Sequence, residues 1–106
     1  MTMMTYYDLV DDYRVNPREI STAPINGENP KWFTVYARND ALYVASGREH
    51  SNACHISHDR RLKASELPIM LELYTRRKKG EPVAQEAKAQ SINQSYWYGI
   101  FNDIDL

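Results

Sequence analysis

The chain has 106 residues, 42% of them hydrophobic, and its 13 lysines and arginines nearly balance its 14 aspartates and glutamates. That length suits one domain with a core that needs neither disulfide nor metal, and the charge balance excludes a strongly basic polyanion binder. Cys54 is the only cysteine, so no intrachain disulfide can form. Neither a membrane-span length of apolar sequence nor a signal-peptide pattern is present, and the expectation is a cytoplasmic protein that does not enter a membrane.

In chain order, Tyr6, Leu9, Val10 and Tyr13 give the first helix one apolar stripe, with Thr5 as its cap and Asp8 in its first turn. Residues 15–31 carry Pro17, Pro24, Gly27 and Pro30 and little periodicity. They read as a long connection, either crossing a sheet or serving as a binding arm. Residues 32–37 and 41–46 read as strands joined by a tight Asn39-Asp40 turn. Residues 52–57 read as a third strand, with Cys54 and His55 on opposite faces.

Beyond Ser65 the pattern turns helical. Leu67, Met70, Leu71 and Tyr74 form a stripe that closes on Arg76-Arg77-Lys78-Lys79 and Gly80. A short helix follows from Pro82 to about Gln90. The segment 96–101 is rich in strand-favouring aromatics. Trp97, Ile100, Phe101 and Ile104 nevertheless fall at i, i+3, i+4 and i+7, which favours a helix with Asn93 at its cap. The fold expected is α+β in a single domain. Residues 1–64 supply an N-terminal helix and a small antiparallel β-meander, and residues 65–106 a helical part.

The two helices around Ser91 resemble the helix-turn-helix DNA-binding unit of phage repressors and small regulators. Ala87 stands where that unit has a small residue, Ile92 where an apolar residue anchors the turn, and Trp97 and Ile100 where the reading helix faces the core. Glu86, Gln90, Ser91 and Gly99 depart from the pattern. The resemblance implies double-stranded DNA as partner and a symmetric dimer. Asn93, Gln94, Ser95 and Tyr98 would then contact bases; Asn and Gln can bond adenine in pairs. Arg60, Arg61, Arg76, Arg77, Lys78, Lys79 and Lys88 would contact phosphates. Cations before Gly80 also complement a helix C-terminus, so the run 76–79 has two readings.

Charge is segregated along the chain: Asp8, Asp11, Asp12, Glu19 and Glu28 crowd the first part and the basic residues gather between 59 and 79. His50, Cys54, His55 and His58 are zinc-ligand types, but their spacing matches no zinc module. Neither a metal site nor a cofactor is expected. Nothing marks a general base, a nucleophile or a phosphate-cradling loop, so no catalytic residue is assigned. The expected function is sequence-specific DNA binding in transcription regulation. The alternative is a protein-interaction module, an adaptor or inhibitor, that uses exposed tyrosines and Trp32. A metal-dependent nuclease built on the histidine cluster is third.

Overall fold

Thr5 opens helix α1 (Tyr6–Val15) with a capping box: its hydroxyl accepts from the Asp8 amide, and the Asp8 carboxylate accepts from the Thr5 amide. Tyr6, Leu9, Val10 and Tyr13 are its buried face. The computed structural model describes residues 4–24 and 29–106; Gly27 and Glu28 of the long connection lie outside the described residues.

Four strands follow: β1 (Arg18–Ser21), β2 (Trp32–Arg38), β3 (Ala41–Ser46) and β4 (Arg60–Leu62). They form one antiparallel sheet in the order β1-β2-β3-β4. Asn39 takes a φ of 50° in the β2–β3 turn, a left-handed conformation that Asn tolerates. Helices α2 (Glu66–Lys78), α3 (Ala84–Gln90) and α4 (Gln94–Asp103) complete the chain. The fold is α+β, with an N-terminal helix, a meander and a C-terminal helical part. Helices α1 and α4 lie on one face of the sheet, and α2 packs on α4 and α3. One core joins Phe33, Val35, Leu42, Val44 and Leu62 from the sheet to Leu9, Met70, Trp97, Ile100 and Phe101 from the helices.

Two expectations about strands need correction. Residues 52–57 are not a strand; only Ala53 forms an isolated parallel bridge, to Trp32. The strand beside β3 is β4, which brings Leu62 against Leu42 and puts a large apolar side chain into the core. Residues 15–31 are not all loop, because β1 lies within them. Its alternation was hidden by Arg18, which shares the inner face with Ile20 and Val35. Arg18 can lie there because its guanidinium stacks 4.2 Å over the Tyr13 ring and bonds Asp103 and Asp12.

Residues 96–101 are helical, as the spacing of Trp97, Ile100 and Phe101 requires. Gly99 is what lets α4 lie so close to the sheet. A Cβ there would stand 2.7 Å from the Ser21 carbonyl oxygen and 2.9 Å from the Phe33 ring. Gly99→Ala is therefore expected to destabilise the fold by about 1–3 kcal/mol, despite a helix-propensity gain of about 1 kcal/mol. A urea titration measures it. Unchanged or increased stability would mean that α4 and β1 are not so closely packed.

Candidate interaction surface

Helix α4 is the most enclosed of the described helices. Trp97, Tyr98, Gly99, Ile100 and Phe101 are all buried, and five consecutive residues sweep more than one full turn. The middle of α4 therefore has no free side. Asn93 is only 7% exposed, and its Oδ1 accepts from Arg60 Nη1 at 3.2 Å instead of facing outward. Tyr98, also 7% exposed, packs against Tyr74 beneath the Arg77 guanidinium, and its hydroxyl is buried without a partner among the described residues. Asn93 and Tyr98, both expected to contact bases, thus lie in the interior, because α4 is wedged between sheet and α2. Ser95 is exposed and Gln94 half-exposed. Both stand on the wall of a cleft of about 600 Å³ shared with Thr22, Ala23 and Tyr96. Ile92, expected to anchor the turn, is 81% exposed.

The basic residues divide by what they hold. Arg76 bonds Glu81 at 3.2 Å and Glu86 at 2.8 and 3.0 Å, tying the end of α2 to α3. Those bonds raise the Arg76 pKa and lower that of Glu86. Arg77 bonds the Ala23 carbonyl and covers the Tyr98 ring. Lys78 reaches the Leu106 carbonyl at 2.7 Å. Arg61, Lys79 and Lys88 are exposed and form no ion pair among the described residues. Much of the run thus braces the structure: three of its four members hold chain segments together.

Among the described residues the sheet has helices on one face only. By the strand register, Trp32, Thr34, Tyr36 and Arg38 of β2 share the other face with Tyr43 of β3, Glu19 of β1 and Arg61 of β4. Tyr36 and Tyr43 are directly paired across the hairpin and stack with ring centroids 5.4 Å apart, inclined by 14°. The Arg38 guanidinium lies 4.8 Å over the Tyr43 ring, and Arg61 pairs with Tyr43 from the other side. The Tyr36 hydroxyl donates to Asp59. Burial, then the bond and charge of Asp59, push that phenol up to about 12.

At the other end of this face, a strap of residues 47–54 is folded down by one carboxylate. The Glu19 side chain is 3% exposed. It accepts from the amides of Arg48 and Glu49 and bonds His50 Nδ1. The His50 ring in turn stacks on Trp32, 3.5 Å away and inclined by 4°. Backbone bonds from Trp32 to Asn52 and from Cys54 to Trp32, each 2.8 Å, complete the strap. Of the zinc-type residues, His50 is thus held by Glu19. Cys54 is half-buried with its thiol pushed up by burial, and His55 and His58 are exposed. Among the described residues no three metal-ligating side chains come together, and no helix is long and apolar enough to cross a membrane.

Glu19 had no local signal in the sequence, since its partners lie about thirty positions away. The Tyr36–Tyr43 pair did have one: both stand three residues from the Asn39-Asp40 turn, and such positions face each other across a two-residue hairpin.

No protein-family model matches the chain, and neither the curated proteins nor the solved structures show a significant similarity to it.

Burial alone would raise the Glu19 pKa, but the bonds from His50, Arg48 and Glu49 outweigh it and hold the carboxyl at about 2, below its ordinary 4.5. A depressed carboxyl stabilises the fold fully above its unfolded value, and that contribution is lost as pH falls through the folded one. Stability should therefore drop between about pH 4.5 and pH 2. Glu19→Gln should melt at a lower temperature at pH 7 and show a flatter acid limb. Thermal melts at stepped pH check this; parallel acid limbs would show that Glu19 does not hold the strap.

Proposed function

We propose that this chain is a protein-interaction module, an adaptor or inhibitor rather than an enzyme, and that it binds through the helix-free face of the sheet. The observation that carries the reading is the aromatic ladder of that face. A solvated sheet face needs only polar side chains, yet this one presents Tyr36, Tyr43 and Trp32, flanked by Arg38 and Arg61. Tyr, Trp and Arg are the types enriched at interface hot spots. The rings are braced in advance by stacking, by Asp59 and by His50, so little side-chain entropy remains to be lost on binding.

Helix-turn-helix DNA binding fits this geometry less well. A reading helix must bring its outer side into the major groove, whereas Trp97 to Phe101 leave the middle of α4 no outer side and only Ser95 and Asn102 of the helix are exposed. The single cysteine, with no partner for an intrachain disulfide, suits a reducing compartment such as the cytoplasm.

The test pairs binding with stability. Replacing Tyr36 and Tyr43 together by Ala should lower stability by about 1 kcal/mol or less, as the loss of a cross-strand pair does. The same change should weaken a captured partner by about 2 kcal/mol or more. Quantitative co-precipitation of wild type and variant, alongside a chemical melt, reads both. Equal capture by the two proteins would remove the sheet face as the contact surface, and a sequence-specific mobility shift with duplex DNA would return the regulator reading.

A further inference from the structure

Resting on the interaction-module reading, we propose that the partner is a polypeptide segment rich in Asp and Glu, received by Arg38 and Arg61 on either side of Tyr43. The argument is charge complementarity on a small area. Arg38 and Arg61 are exposed, and neither forms an ion pair among the described residues. The carboxylates of the same face are differently placed. Glu19 is buried under the strap and bonded three times over. Asp59 accepts the Tyr36 hydroxyl, and its charge reaches Arg38 but no bond to it forms. Asp40, at the tip of the hairpin, is turned toward α1 by Arg14 at 3.0 Å. Glu49 remains exposed, but it belongs to the strap, at the Trp32 end of the face. The surroundings of Tyr43 therefore present two guanidinium forks beside an apolar ring. An acidic side chain can take a bidentate bond from either fork while a neighbouring apolar group packs on the edge of the half-buried Tyr43 ring.

A nucleic acid fits this place less well, although it is also anionic. Single-stranded binders offer free aromatic faces to successive bases along a basic groove. Here Tyr36 and Arg38 both already lie against the Tyr43 ring, and His50 covers a face of Trp32. Two guanidiniums on a chain of net charge −1 make no groove for a phosphate backbone.

The experiment presents the labelled full-length chain to an array of acidic, neutral and basic peptides of matched length, each with and without a central Leu or Tyr. A single-stranded oligonucleotide series is titrated in parallel. Retention of acidic peptides with a central apolar residue is expected at low salt, weakening as salt rises. Arg38→Glu with Arg61→Glu should reduce that retention roughly tenfold, as two exposed pairs turned to repulsion would, and shift preference toward basic peptides. Both side chains are exposed, and a melt of the double variant confirms folding; Arg38→Gln with Arg61→Gln gives the same loss without the reversal. Charge-independent retention that is abolished by Tyr43→Ala would overturn the acidic partner and leave the interaction module standing. Retention unaffected by any of these changes, or none at all, would overturn both. Binding of the oligonucleotides in preference to every peptide would replace the partner by a nucleic acid.

Discussion

The helical layer meets the sheet at close quarters at Gly99, and the positions of the other elements depend on that approach. With no side chain there, α4 settles onto the Ser21 carbonyl and the Phe33 ring. Trp97 and Phe101 then fill the space between sheet and α2, with ring centroids 5.7 Å apart. Interiors are close-packed, so a helix seated this deep leaves its neighbours little choice of place. Helix α2 covers the far side of α4, and α3 is carried along by the Arg76 bonds to Glu81 and Glu86.

The same seating engages α1 and the edge of the sheet. Asp103, near the end of α4, accepts the Tyr13 hydroxyl at 2.9 Å and Arg18 Nη2 at 2.6 Å. Three elements from opposite ends of the chain thus share one carboxylate. Such a partly buried group needs its bonds complete, because a partner left unpaired costs more than the bond itself contributes. Burial and the Asp103 charge also push the Tyr13 phenol far above its ordinary pKa, so it remains a donor at any ordinary pH.

Among the described residues all the helices gather on one side of the sheet, and the opposite face stays free of them. On that face local order comes from pairing between neighbouring strands. Tyr36, Tyr43, Arg38 and Arg61 brace one end; Glu19, His50 and Trp32 brace the other. The strap adds rigidity that a loop of residues 47–54 would lack by itself. The proposed surface is therefore one whose shape exists before any partner arrives, and preorganisation of this kind reduces what ordering costs on binding.

Much of this was legible along the chain because it depends on neighbours in sequence. The Thr5 cap, the stripe of α1, the β2–β3 hairpin around Asn39-Asp40 and the helical period of α4 are local patterns, and each is present. The acidic-to-basic segregation was also plain, but not its use: Arg76, Arg77 and Lys78 hold chain segments that lie up to fifty-four positions away. Periodicity showed that Trp97 and Ile100 face inward. It could not show that Tyr98 and Asn93 do too, since a helix is covered on every side only when two layers close on it. Strand β1 has no legible alternation in sequence because an arginine on its inner face is tolerable only with Tyr13, Asp12 and Asp103 already in place. Sequence alone determined the helices, the β2–β3 hairpin and their order, since these rest on local patterns. The tertiary structure decided which faces remain open, because burial is set by contacts between residues far apart in the chain.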